Sequence, residues 1–221
     1  MPPSAGSGFD RRTLLRATLT AAGALLLRFP LRLEEALAAV PPEAAYAPNG
    51  FLRIAADGKV TLRAPIPDMG QGTRTSLPMI VAEELDVPWG AVSIVQAELD
   101  PAAFPEGQGA GGSDSLYSGW EPARRAAATA RLLLVKAAAI RWGVAASACS
   151  TANAAVVHAP SARRIAYRDL LADAARATVE PAEVAPKPFD RYRLVGTRIA
   201  GVDVPAIVAG RPLYGLDFRL P

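Results

Sequence analysis

One cysteine and one histidine are all that the 221-residue chain holds of either type. Cys149 has no second cysteine to pair with, so an internal disulfide is excluded. A single thiolate also cannot hold an iron–sulfur cluster, which takes several. His158 lies nine residues further on. One Cys and one His make neither a zinc site nor a Cys–His dyad, because the companion ligands are missing, and both read as packing or loop residues. No metal ligand set is expected in this chain. An excess of one charge is lacking too. Lys and Arg number 24 against 21 Asp and Glu, a net charge of +3. The arginines are scattered, with no basic run and no interleaved aromatics, so nucleic acid is not the implied partner. The apolar stretch Ala17 to Leu27 is too short to cross a bilayer as an ordinary helix. There is no internal repeat.

What is present suits a globular protein. Hydrophobic residues make up 51% of the chain and charged residues 20%, a balance that argues against disorder. The length allows one domain or two small ones, with a sizeable core. The N-terminus reads as an address. Asp10-Arg11-Arg12-Thr13-Leu14-Leu15-Arg16 places two adjacent arginines before the apolar stretch, and Ala36 to Ala39 supply small residues for cleavage. This fits a twin-arginine leader over residues 1–39, although Leu14-Leu15 stands where Phe-Leu is usual. The other reading is an amphipathic N-terminal helix. On the first reading the protein is exported, to the periplasm, and meets a membrane only through its leader. A Pro-rich linker follows over residues 40–50.

The folded part is expected from Phe51. Phe51 to Ile54 and Lys59 to Arg63 flank Asp57-Gly58, the signature of a hairpin. A Gly-rich turn, Asp68-Met69-Gly70-Gln71-Gly72, leads into a helix over Thr73 to Asp86, with Leu77, Ile80, Val81 and Leu85 on one face. Ala91 to Ala97 reads as a buried-type strand. Glycines let the backbone turn sharply, and a helix N-terminus behind such a turn offers unpaired N–H groups to an anion. Gln71 adds an amide that both donates and accepts. A second loop, Gly111-Gly112-Ser113-Asp114-Ser115, adds glycines and hydroxyls ahead of the longest helix, Trp120 to Trp142. In that helix Glu121-Pro122 suits the first turn, and Gly143 is the C-cap. A second hairpin is expected over Ala152 to Tyr167, a short helix over Arg168 to Ala177, and a final β segment within 181–221. Glu83 and Glu84 are expected to be solvated, or to cap. The fold class is α/β (α+β), a layered sheet with packed helices.

The order of these pieces resembles the molybdopterin-binding large subunit of the xanthine dehydrogenase/aldehyde oxidase family, of the isoquinoline 1-oxidoreductase kind. The residues that carry the resemblance are Asp68-Met69-Gly70-Gln71-Gly72, Val81-Ala82-Glu83-Glu84-Leu85, Gly111-Gly112-Ser113 and Gly119-Trp120-Glu121-Pro122. It implies a partial molybdopterin-binding domain over 51–180, and over 181–221 a linker and the start of a hammerhead-like β segment. It implies molybdopterin as cofactor, in the cytosine dinucleotide form, held by Met69, Gly70, Gln71, Gly72, Gly112, Ser113 and Ser115. Asp114 departs from the family's pattern and puts a carboxylate near the expected phosphate. The implied reaction is hydroxylation of an N-heteroaromatic or an aldehyde with oxygen drawn from water. With one cysteine here, the iron–sulfur clusters are expected on a small partner subunit. The resemblance also predicts sequence beyond Pro221, including the general-base glutamate, so no catalytic residue is assigned and the chain is expected to be inactive alone. The competing reading is a non-catalytic exported domain, or a degenerate remnant, that only packs against a partner.

Overall fold

A computed structural model describes residues 52–221, except 102, 103, 105, 106, 212, 213, 215, 216, 218, 220 and 221, together with the backbone of 16–19 and 25–28. Its first sheet has the order β1 (Arg16–Leu19), β2 (Leu25–Arg28), β3 (Leu52–Ile54), β4 (Val60–Ala64) and β5 (Val92–Gln96). The first four strands pair antiparallel with their neighbours, whereas β4 and β5 are parallel, with Val60 opposite Val92 and Ala64 opposite Gln96. The β3–β4 hairpin turns at the expected Asp57-Gly58. Gly58 takes φ +85°, and Asp57 accepts the Lys59 N–H at 3.0 Å. That is the left-handed geometry for which Asp-Gly turns are selected.

Parallel strands need a crossover, and helix α1 (Thr73–Leu85) supplies it between β4 and β5. Helix α2 (Ser115–Trp142) packs along α1. The two run in the same direction. Residue 71 meets Ser115, Leu77 meets Gly119, and Glu84 meets Arg124 and Arg131, so contacts advance together along both. Leu52, Ile54, Val60 and Leu62 from the sheet, Leu77, Ile80, Val81 and Leu85 from α1, and the Ala/Leu face of α2 form one buried core. Each buried aliphatic side chain there stabilises the fold by about 1.5–3 kcal/mol. The antiparallel sheet β6 (Ser150–Ala152), β7 (Ala155–His158) and β8 (Arg163–Ala166) follows, then α3 (Leu171–Ala174), with Tyr167, Leu170 and Ala174 joining the core.

Several expectations are corrected. Helix α2 begins at Ser115, ahead of Trp120, so Pro122 lies inside it and not in its first turn. The ring is exposed, and the helix gives up the bond to the Ser118 carbonyl that a residue with an N–H would make. No strand occurs among the described residues of 181–221. Val204–Val208 form a short helix, α4, and 187–203 crosses α1 without a strand, with one 3-10 turn at Phe189–Arg191. The N–H groups of Lys187, Arg193, Leu194, Val195 and Val202 go to α1 side chains, and those of Arg191, Tyr192 and Thr197 close local turns, so none of these builds a ladder. The described parts of the apolar N-terminal stretch are strands that extend the sheet beyond β3, not a helix. Arg11 and Arg12, Ala36 to Ala39 and the 40–50 linker lie outside the described residues. Among the described residues no helix is long and apolar enough to cross a membrane.

The largest correction concerns Glu83 and Glu84. Both are buried, and Glu84 is 0% exposed. Glu84 lies against Arg124 (3.3 Å) and Arg131 (3.2 Å) and accepts the Lys187 N–H at 2.9 Å. Glu83 accepts the N–H groups of Arg193, Leu194 and Val195 at 2.6–3.1 Å. Helix periodicity placed them beside solvent. The chain that returns across α1 covers them and supplies the donors that make burial tolerable.

Candidate functional site

Because β4 and β5 are parallel, both release the chain at the same end of the sheet. The end of β4 leads through Asp68 to Gly72 into α1, and the end of β5 leads through 97–114 into α2. Loops at the carboxyl ends of parallel strands are where such sheets bind ligands. Two parallel helices then present their N-termini, each with partial positive charge, on one rim.

One hydrogen bond joins the two loops. Gln71 Oε1 accepts the N–H of Ser115 at 3.1 Å. A backbone N–H can only donate, so the amide oxygen must face Ser115. Gln71 Nε2, with two N–H donors, is left unengaged among the described residues. Gly119 permits this closeness lower down. A Cβ there would stand 3.0 Å from Leu77 Cδ2. Tight contact between α1 and α2 therefore continues below the bridge.

The expected site residues fall as follows. Met69 is 70% exposed, and Gly70 and Gly72 are exposed at φ +111° and +75°, beside Gln71 at the apex of the turn. Gly112 and Ser113 are exposed at φ +55° and +58°, two left-handed residues in succession in the second loop. Ser115 differs. It is wholly buried, and its hydroxyl has no partner among the described residues. The structure thus brings the two loops edge to edge through Gln71 and Ser115, with Met69, Gly112 and Ser113 on the open side and the Ser115 hydroxyl turned into the protein. Asp114 is exposed at the start of α2 and makes no side-chain cap.

The first loop is less open to anions than its glycines imply. Asp68 Oδ1 accepts the N–H groups of Gly70 (2.9 Å) and Gly72 (3.3 Å), and Oδ2 accepts that of Arg74 (3.0 Å). Partial burial pushes the Asp68 carboxyl up. The N–H donors of Arg74, Gly70 and Gly72 outweigh it and hold its pKa below the usual aspartate value. Motif reading passed over this role of Asp68. The available signal was an Asp two residues before a Gly, the pattern of an Asx turn. The ion pair of Arg74 Nε with Asp203 (2.7 Å) and the bond from the Val202 N–H to Thr75 Oγ1 (3.0 Å) were beyond reach, because their partners are more than a hundred residues apart in sequence.

The arrangement is a neutral-donor rim at the end of a parallel strand pair, suited to an elongated polar ligand laid across two loops. The chain belongs to the molybdopterin cofactor-binding domain family, whose profile matches residues 34–204. It is 32% identical over 219 residues to the beta subunit of isoquinoline 1-oxidoreductase from Brevundimonas diminuta, covering 82% of this chain and 28% of that protein. It is 35% identical over 173 residues to the B subunit of nicotinate dehydrogenase from Pseudomonas putida, covering 77% of this chain and 14% of that protein. The chain thus spans roughly a quarter or less of the length of these relatives. Among solved structures, quinoline 2-oxidoreductase from Pseudomonas putida 86 matches with a TM-score of 0.45 and 24% identity, over 60% of this chain and 17% of that one. The family resemblance carried by the motifs, and the α/β class, are borne out.

Proposed function

We propose that the chain is the N-terminal, molybdopterin-holding part of a molybdenum hydroxylase large subunit. The full enzyme would hydroxylate an N-heteroaromatic or aldehyde substrate with water-derived oxygen. The observation that carries this reading is the Gln71–Ser115 bond, which sets two Gly-containing loops on one rim at the ends of β4 and β5. The donor set fits the cofactor. Gln71 Nε2 and the Ser113 hydroxyl are neutral hydrogen-bonding groups, and the positive-φ backbone at Gly70, Gly72, Gly112 and Ser113 lets main chain approach a ligand closely. Met69, Gly70, Gln71, Gly72, Gly112 and Ser113 would hold the cofactor, which we take in its cytosine dinucleotide form. Ser115 would act from within, through its N–H on Gln71. When bound, molybdopterin supplies the redox centre that takes two electrons from the substrate.

Among the described carboxylates near this rim, Asp114 is exposed at the start of α2 without a side-chain cap. Asp68, Glu83 and Glu84 are all engaged with N–H groups or cations. We assign cofactor binding and no catalytic residue to this part, and the chain alone is expected to be inactive. The relatives' names, which describe subunits, support a partner. Cys149 alone cannot hold an iron–sulfur cluster, and we place the clusters on a small partner subunit. Arg11-Arg12 and the apolar stretch behind them support export of the folded protein through the twin-arginine route to the periplasm.

The test is molybdenum and pterin content of the purified chain, with and without a co-expressed small iron–sulfur subunit. Stoichiometric molybdenum and pterin in either preparation is the expected result. Absence of both from both preparations would leave a domain that keeps the family's fold without its cofactor.

A further inference from the structure

Asp68 occupies the place that an anion would take. Its two oxygens receive the N–H groups of Gly70, Gly72 and Arg74, the donors that this turn and the first turn of α1 otherwise point outward. An incoming phosphate would have to displace a carboxylate tethered a few residues away, which competes at a high effective concentration. The Arg74 side chain, on the first turn of α1, offers no alternative. The Arg74 guanidinium is already paired with Asp203 at 2.7 Å. The same carboxylate also grips both shoulders of Gln71, because Gly70 and Gly72 flank it. Gln71 in turn bonds to Ser115 across the gap.

We infer that Asp68 is a positioning residue with two effects: it closes the N-terminus of α1 to phosphate, and it holds Gln71 in its bond to the second loop. The inference rests on the cofactor reading only for what the rim finally binds. By this account the first loop meets its ligand through the Gln71 side chain and not through a backbone anion nest. The loop is fixed before the ligand arrives, so little ordering remains for binding to bring about.

The test uses the full chain and inorganic phosphate as the probe, with backbone amide signals and hydrogen exchange as readouts. In the wild-type protein the Gly70, Gly72 and Arg74 amides are expected to ignore phosphate. In Asp68→Ala they should shift with phosphate, and the Ser115 amide should exchange at least about tenfold faster as Gln71 loses its hold. Asp68→Asn keeps the shape. Its oxygen can still serve Gly70 and Gly72, while its NH2 group opposes the Arg74 N–H, so protection should fall at Arg74 alone. With a co-expressed cofactor supply, molybdopterin content should drop several-fold in Asp68→Ala and less in Asp68→Asn. Phosphate shifts at the three amides of the wild-type protein would overturn the closure. Unchanged Ser115 exchange in Asp68→Ala, or higher cofactor content in that variant, would overturn the positioning role. Lack of cofactor in the wild-type protein would remove the functional reading and leave the amide results to judge Asp68 by themselves.

Discussion

Glu84 shows what a single side chain can do in this fold. Its carboxylate is wholly buried between Arg124 and Arg131, and it also accepts the Lys187 N–H. Arg131 Nη1, the nitrogen that faces this carboxylate, also donates to the Glu84 backbone carbonyl at 2.7 Å. The Arg124 guanidinium lies over the rings of Trp120, Phe189 and Tyr192. Taking two guanidiniums and a carboxylate out of water is tolerable only while they face one another. Glu84→Ala would leave both arginines without their buried counter-charge, and it should cost about 3–5 kcal/mol, read from the urea midpoint at constant m. Arg125, half exposed in its i,i+4 pair with Glu121, is the contrast. Arg125→Ala should change stability by about 1 kcal/mol or less, because solvent screens such a pair. Equal effects of the two substitutions would mean that the Glu84 cluster contributes no more than a surface pair.

At the scale of elements, α1 is held by chain that returns from the far end of the sequence. Segment 187–203 starts at the C-terminal end of α1, where Lys187 meets Glu83 and Asp86. It continues through the three N–H groups bound by Glu83, and reaches the N-terminal end at the Arg74–Asp203 pair. Only a short step separates that pair from Gly72, so this segment buttresses the first loop. Burial pushes the Glu83 carboxyl up, but the N–H groups of Leu194, Val195 and Arg193 and the charge of Lys187 outweigh it, and its pKa falls below the usual glutamate value. The sign follows directly. A carboxylate with a depressed pKa contributes stability that is present above its unfolded pKa and is lost as pH falls through the folded one. Segment 187–203 should therefore stay protected from limited proteolysis at neutral pH and become cleavable below about pH 4. Glu83→Ala should be cleaved there already at neutral pH. Equal resistance of both proteins across this range would show that Glu83 does not hold the segment.

At the scale of the molecule, the sequence yielded what depends on local pattern. The Asp57-Gly58 hairpin, the period of α1, the Gly143 C-cap and the β7–β8 hairpin are set by residues a few positions apart. The start of α2 was missed because Glu121-Pro122 was read as its first turn. In the fold, Gly119 serves the approach of Leu77 and Pro122 is carried on an exposed face. The burial of Glu83 and Glu84 depends on α2 arginines some forty residues away and on chain that returns from more than a hundred residues away, which no periodicity reports. The candidate site was half legible. Its loops could be named, but the bond from Gln71 to Ser115 and the carboxylate that fills the first turn belong to the assembled fold. If that bond unites the two loops into one cofactor site, ligand binding should stabilise the whole chain. A cofactor at a hundred times its dissociation constant adds about 2.7 kcal/mol. For a chain of this length that corresponds to a fall in Tm of about 5–11 °C when the cofactor is stripped. Gln71→Ala breaks the bridge without disturbing the buried core, so the stripped variant should melt close to the stripped wild-type protein. Supplied with the same cofactor, it should show little of the gap. A gap preserved in Gln71→Ala would mean that each loop binds without the other, and that their contact through Ser115 is packing alone.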